Sequence, residues 1–310
     1  MSNTMAAASR PGASATMTTA LDELIQLLEL EPLELNLFRG VSPDEERQRV
    51  FGGQVAGQAL VAAGRTVERG RVHSLHAYFL RPGDPHVPII YDVDRIRDGN
   101  SFTTRRVVAI QHGRAIFNLA ASFHIDEPGP EHQYPMPEVP PPEELPTLRE
   151  RLEPYKDRFS ADFSLWLERE RPIDSRAVEA PRWIDPTPRE AEQHVWIRAN
   201  GELPDDPLLH ACVVAYASDL TLLDTAVMSH QINYEDDDFM IASLDHAMWF
   251  HRPFRADEWL LYHQKSPSAY GARGLAEGFI YTRDGQLAIT VIQEGLMRPV
   301  SRGPDNTAGG

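Results

Sequence analysis

Ile241-Ala242-Ser243-Leu244-Asp245-His246-Ala247-Met248-Trp249-Phe250-His251-Arg252-Pro253-Phe254 is the stretch on which the fold turns. It reads as one buried strand. Met240, Ala242, Leu244, Met248 and Phe250 share one face, interrupted by His246; Ile241, Ser243, Asp245, Ala247, Trp249 and His251 share the other. Arg252-Pro253 ends it, because proline gives the ladder no donor. A strand apolar on both faces that still carries Ser, Asp and two His is costly unless those groups are paired. It therefore satisfies a structural network or lines a site.

Outward from this strand, the pattern is strand, helix, then antiparallel strands, and it occurs twice. In the first half a short amphipathic helix (18–30, capped by Thr18 or Thr19) precedes a strand through Leu33, Leu35 and Leu37. A helix follows from Gln54 to about Val67, rich in Ala and Gly and so able to lie close to a sheet. Strands at 73–80, 89–96, 102–111 and 115–124 come next, with His112-Gly113 as a hairpin turn. In the second half a strand at 192–199 leads into a helix at 208–228, then the strand quoted above. Strands at 259–266, 272–282 and 286–297 close it.

Motifs repeat between the halves. Tyr78-Phe79-Leu80-Arg81-Pro82 matches Trp249-Phe250-His251-Arg252-Pro253, and Gly57-Gln58-Ala59-Leu60 matches Ala217-Ser218-Asp219-Leu220. A helix followed by antiparallel strands is wrapped by its own sheet. The expected fold is thus α+β, a double hotdog: two tandem repeats, each an antiparallel sheet around a central helix, paired as a pseudo-dimer. The divisions are a disordered tail at 1–17, repeats at 18–127 and 191–300, and a frayed end at 301–310. Between the repeats, 128–190 holds 13 of the 25 prolines between Pro128 and Pro188 and reads as a charged linker wrapping a surface, with a weak helix from about 142 to 171. Met17 is an alternative start.

Charge and composition bound the function. Forty-six acidic residues against 30 basic give a net charge of −16, which disfavours nucleic acid and anionic membranes as partners. No run of about 18 apolar residues is present, so no membrane span is expected. Cys212 is the single cysteine, so no internal disulfide can form and a reducing, cytoplasmic setting is expected; it reads as a small buried apolar residue. The first twenty residues lack a secretory apolar core, and the C-terminal Asn-Thr-Ala-Gly-Gly is not a peroxisomal address. There is no G-x-S-x-G elbow, no H-E-x-x-H and no Cys/His cluster, and His73-x-x-His76 is too small a set for a metal. No metal or cofactor is expected.

Comparing the halves singles out candidates. Asp219, Ser243 and Gln293 correspond to Ala59, Val72 and Ser122 in the first half. Groups needed by the fold would be needed in both, so their one-sidedness points to one site on the second half. Taken singly each has a plain alternative: Asp219 on a solvated stripe, Ser243 and Gln293 as satisfied core groups. Buried, Asp219 would have a raised pKa suited to a general base. Asp245 and His246 are adjacent on a strand, point opposite ways, and at least one should bond structurally.

Together, Phe51-Gly52-Gly53-Gln54-Val55-Ala56-Gly57-Gln58-Ala59-Leu60, Ala217-Ser218-Asp219, Ser243 to Phe254, Trp259-Leu260-Leu261-Tyr262 and Gln293-Glu294-Gly295-Leu296-Met297-Arg298 resemble the acyl-CoA thioesterase II family, over roughly residues 20–300. The resemblance implies a double hotdog that hydrolyses fatty acyl-CoA to free fatty acid and coenzyme A. It implies a catalytic trio of Asp219, Ser243 and Gln293, with Ser243 where other members carry Thr. A homodimer or homotetramer is implied as well. The trio can hold a water that attacks the thioester, with Asp219 taking its proton. The Gly52-Gly53-Gln54 helix start is the candidate oxyanion contact. Arg81, Arg105, Arg106 and Arg252 are candidate phosphate contacts, each with a surface or ion-pair alternative. Two other classes stay open: a hydratase or dehydratase using His246 or His251, and a non-enzymatic acyl-CoA sensor.

Overall fold

A computed structural model describes residues 18–43, 48–158, 169–180, 185, 187–230 and 239–299. The tails expected at 1–17 and 301–310 and the alternative start Met17 lie outside the described residues.

Helix α1 (Ala20–Leu28) starts at Thr19, whose side chain accepts the Asp22 N–H while Asp22 answers on the Thr19 backbone, a reciprocal cap. Its Leu21, Leu24 and Leu28 are buried. β1 (Glu31–Glu34) and β2 (Leu37–Gly40) follow as a short hairpin. This corrects the single strand expected through Leu33, Leu35 and Leu37: Leu33 and Leu35 are exposed, so their alternation did not mark a core face.

α2 (Gly52–Gly64) is buried from Gly53 onward on all sides. The strands around it are β3 (Arg71–Phe79), β4 (Ile89–Asp98), β5 (Phe102–Gln111) and β6 (Arg114–His124), in the order β1-β2-β4-β5-β6-β3. The second set is β7 (Ile173–Ala177), β8 (Glu192–Ala199), β9 (Phe239–Ser243), β10 (Asp245–Phe250), β11 (Leu260–Tyr270), β12 (Arg273–Thr282) and β13 (Leu287–Pro299). It continues the same sheet as β10-β13-β12-β11-β8-β7, joined where β3 pairs antiparallel with β10. Tandem hotdog halves therefore share one antiparallel sheet, with the helices on its inner side.

Two expected elements are broken. The helix read from 208 to 228 is α4 (Pro207–Ser218) and α5 (Leu222–Val227), interrupted at Asp219. The long strand is β9 and β10, interrupted at Leu244. Ser243 pairs with Gly295 but Ala247 pairs with Ile292, a one-residue slip along β13. That slip is a bulge, and it reverses the alternation of faces. The first half carries the same irregularity between Val72 and Ser74, so the bulge belongs to the repeat.

The 128–190 stretch is not only a linker. Of the helix expected from about 142 to 171, the described residues hold a helix over Leu148–Leu152 (α3), and residues 159–168 lie outside the described residues; β7 joins the sheet edge beside β8. Part of it does wrap a surface, since Met136, Val139 and Leu145 pack on a cluster of Trp196, Trp259, Leu261, Tyr281 and Leu287.

α2 and α4 run antiparallel in close contact. A Cβ on Gly53 would collide with the Tyr216 carbonyl oxygen; one on Gly57 would lie 3.2 Å from that of Cys212; one on Gly64 would strike Leu208. Pro207–Val227 is apolar and long enough to cross a membrane, but 56% of its apolar 18-residue window is buried inside the fold, which accounts for its composition. Cys212 is fully buried in this contact, as expected.

The helix contact predicts graded damage. Gly53→Ala should cost roughly 1–3 kcal/mol, the usual range for overpacking, because a backbone carbonyl cannot move aside. Gly57→Ala should cost less. Urea denaturation of both variants checks this; equal losses, or none at Gly53, would contradict the packing described.

Candidate active site

Asp219 is the C-cap of α4, the residue at which the apolar helix stops. Gln293 projects inward from β13 and is fully buried. Its Nε2 donates to Asp219 Oδ1 at 2.6 Å and to Ser243 Oγ at 2.7 Å. Ser243 Oγ, at the end of β9, lies 3.4 Å from the same Asp219 oxygen and can donate to it. The three expected residues therefore meet, in direct contact with one another. Gln293 Oε1 is buried without a protein donor, an acceptor that a water can serve.

The start of α2 closes the other side. A Cβ on Gly52 would fall 2.7 Å from Asp219 Oδ2, so only glycine leaves that oxygen room. The Gly53 N–H donates to the Asp219 carboxylate. Gly53 thus serves the Asp219 carboxylate directly. The Gln54 side chain is spent on Val41 O and Ser42 Oγ, at 3.2 and 3.0 Å. Burial drives the Asp219 pKa up from 3.8 to about 6, against the bonds from Gln293, Gly53 and Ser243 that favour its charged form.

Behind Asp219 lies a support that sequence reading missed. Ser218 Oγ donates to Ala215 O at 3.0 Å and lies 2.9 Å from His246 Nε2. Tyr262 Oη donates to Ser218 O at 3.2 Å. Ser243 and His246 both face the helices because the bulge sits between them; strict alternation had put them on opposite faces. Burial lowers the His246 pKa to about 4, so the ring is neutral at pH 7. Asp245 accepts the Glu294 N–H at 2.7 Å and pins the bulge, the structural bond expected of that pair. His251 pairs with Thr290 Oγ1 at 2.8 Å. Neither histidine bonds to Asp219.

Next to the start of α2, the rings of Phe51 and Tyr216 meet edge to face at 5.1 Å beside a small cleft that includes Leu27, Val50 and Gln54. Tyr216 lies one turn before Asp219, the spacing that could have revealed it. The candidate phosphate arginines are mostly engaged. Arg105 is buried and bonded to Thr66, Arg97 O, Thr104 O and Asp98, which corrects its proposed role. Arg106 pairs with Asp94 at 2.9 Å, Arg81 donates to Ala115 O, and Arg252 donates to Leu287 O.

The repeat correspondences need two corrections. Aligned on helix C-caps, Asp219 matches Arg65, not Ala59. Aligned on sheet register, Gln293, two residues before the partner of Ser243, matches Ala121, two before the partner of Val72. Ser122 instead bonds His73 at 2.8 Å. Val72 remains the counterpart of Ser243. At the opposite end of the helix pair, where Gly64, Val72, Phe123 and Leu208 meet, lies a cavity of about 440 Å³ with no counterpart of the trio.

Two repeats sharing one sheet around paired helices make this a double hotdog protein. Comparisons with known proteins go further. The family described as acyl-CoA thioesterase matches residues 168–296, and the acyl-CoA thioesterase N-terminal domain matches residues 42–124. The chain is 46% identical over 288 residues to acyl-coenzyme A thioesterase 8 of Rattus norvegicus, covering 89% of each. It is 42% identical over 291 residues to acyl-CoA thioesterase 2 of Haemophilus influenzae, covering 91% of this chain and 99% of that one. The crystal structure of the acyl-CoA thioesterase II TesB2 from Mycobacterium marinum superposes with a TM-score of 0.73 at 46% identity, over 91% of this chain and 99% of that one. The chain belongs to the acyl-CoA thioesterase family, and is a thioester hydrolase.

The raised pKa predicts a pH signature in stability. Between 3.8 and about 6 the folded state holds a proton that the unfolded state has lost. Stability from this group is therefore lost as pH rises through that window, by up to about 3 kcal/mol at 1.36 kcal/mol per unit. Asp219→Asn removes the charge. Its stability relative to wild type should climb by that order from pH 4 to pH 7.5 in urea denaturation; a flat difference would mean Asp219 is not buried as described.

Proposed function

We propose that Asp219 is the general base of acyl-CoA hydrolysis, acting on a water positioned by Ser243 and Gln293. The carrying observation is a largely desolvated carboxylate held by Gln293, Ser243 and the Gly53 N–H, with its pKa lifted to about 6. Its Oδ1 is engaged by Gln293, which leaves Oδ2, beside Gly52, as the proton acceptor. The water oxygen bonds to the thioester carbonyl carbon as its proton passes to Asp219. The carbonyl oxygen takes the negative charge at the positive end of α2. Collapse breaks the carbon–sulfur bond. The coenzyme A sulfur leaves with the proton held by Asp219, and free acid remains. The acyl chain enters past Phe51 and Tyr216. The engagement of His246 by Ser218 and of His251 by Thr290 weighs against a hydratase reading. Following the family likeness, we also read the working form as a homodimer or homotetramer acting on fatty acyl chains.

Thiol release from a saturated acyl-CoA tests the reading, since neither a hydratase nor a sensor produces it. Asp219→Asn should lose at least about 100-fold in kcat with an unchanged circular dichroism spectrum. Gln293→Ala and Ser243→Ala should lose less. Wild-type kcat falling as pH drops through about 6 is expected for a base that must be ionised. Full turnover in Asp219→Asn would end the assignment.

A further inference from the structure

On the outer face of the sheet, turned away from Asp219, titratable side chains gather where the 128–190 stretch meets β8 and β11. In that pairing His194 lies opposite His263, and Glu192 opposite Lys265. Gln193 and Gln264 point to the inner face, donating to Thr221 at 3.1 and 2.7 Å. Glu192, His194 and His263 therefore share the outer face. The imidazoles stack with centroids 4.5 Å apart at 11°. His194 Nδ1 lies 2.8 Å from Glu179 Oε1, and the other Glu179 oxygen accepts the His194 backbone N–H at 2.8 Å. His263 Nε2 lies 2.6 Å from Glu192 Oε1. One donor atom each from Glu192, His194 and His263 fall within 4.8 Å of one another.

We propose that Glu192, His194 and His263 form a structural site for a zinc-class divalent cation, with Glu179 orienting His194. Two imidazoles and a carboxylate are a borderline donor set, suited to zinc, cobalt or nickel; calcium and magnesium require oxygen donors. A carboxylate on one imidazole nitrogen is the arrangement that fixes the tautomer of a metal-bound histidine. Glu179 on Nδ1 leaves Nε2 of His194 with its lone pair. Donors around tetrahedral zinc stand about 3.3 Å apart, so the cluster closes by small side-chain rotations. Lys265, 3.2 Å from Glu192 Oε1 and 47% exposed, faces the cluster and can swing into solvent, and Arg151 lies near Glu179 on its outer side.

The bound ion would tie the segment after β7, through Glu179, to β8 and β11. Gln193 and Gln264 on the inner side of those strands hold Thr221, two residues beyond Asp219. The site stiffens the far wall of the catalytic turn and takes no part in the chemistry, so it stands whether or not the roles given to Asp219, Ser243 and Gln293 hold.

Tag-free protein, stripped with chelator and dialysed, is titrated with zinc chloride against a chromophoric indicator. One zinc per chain is expected, undisturbed by excess magnesium, with a rise in Tm. The double variant His194→Gln/His263→Gln should bind at least about 10-fold more weakly, and Glu179→Gln between about 10- and 100-fold more weakly. Cobalt added to the wild type should give the visible absorption of a four-coordinate site, a readout that needs no variant. Zinc uptake equal in wild type and folded double variant, displacement by magnesium, or absence of the cobalt band would each overturn the proposal.

Discussion

Burying a carboxylate costs several kcal/mol unless donors are brought to it. Asp219 obtains its donors from three separate parts of the chain: Gln293 on β13, Ser243 on β9 and the Gly53 N–H at the start of α2. The first two come from the second repeat and the third from the first. The site therefore exists only when the halves are docked, which explains why the helices lie close enough for glycine alone to fit at 53 and 52. The donors do not fully offset the burial. The residual cost appears as a pKa of about 6, a value that makes the group a competent base near neutral pH.

Both interruptions in regular structure serve this meeting. α4 ends at Asp219, so the carboxylate sits beyond the last helical turn and faces the next element. The bulge at Leu244 turns Ser243 and His246 to one side. Asp245 takes the Glu294 N–H exposed by the slip, and Leu244 N–H donates to Glu294 O at 2.9 Å. His246 and Tyr262 then hold Ser218, the residue next to the carboxylate. None of these three touches the Asp219 carboxylate through a hydrogen bond, yet each limits where it can go. An unpaired Nδ1 on buried His246 is tolerated because the neutral ring costs far less to bury than the charged one.

The repeat was legible in the sequence, and so was the meeting of Asp219, Ser243 and Gln293. β5 and β8 were legible to the residue, because clean alternation and sharp turns bound them. Asp219 and Gln293 stood out as polar groups in apolar runs. What could not be read were departures from periodicity. A bulge leaves no residue signature when its flanks are apolar, so the strand looked continuous and Ser243 and His246 were put on opposite faces. α4 and α5 read as one helix since the break at Asp219-Leu220-Thr221 holds no Gly or Pro. β7 was hidden in the Pro-rich stretch: as an edge strand it needs one neighbour only, and Ile173 is its single buried residue. The role of Gly53 depends on the other half of the chain, beyond any local pattern.

The two ends of the helix pair show how duplication permits one good site. Each end offers a helix C-terminus, the opposing helix N-terminus and a bulged strand. At the active end these carry Asp219, Gly52-Gly53 and Ser243. At the other they carry Arg65, bonded to Glu29 and Leu30 O, then Leu208, and Val72. Asp206 already caps that helix start by accepting the Leu208 N–H at 2.9 Å, so the donors that Gly53 turns toward Asp219 have no equivalent there. The active end also gains α5, packed by Leu223 against Met297 with Phe239 and Ile241, where the first repeat passes from α2 to β3 by a short turn and leaves a cavity of about 440 Å³. An open, solvated end cannot raise a carboxylate pKa by desolvation. Filling one end and leaving the other open is what confines a desolvated carboxylate to a single half.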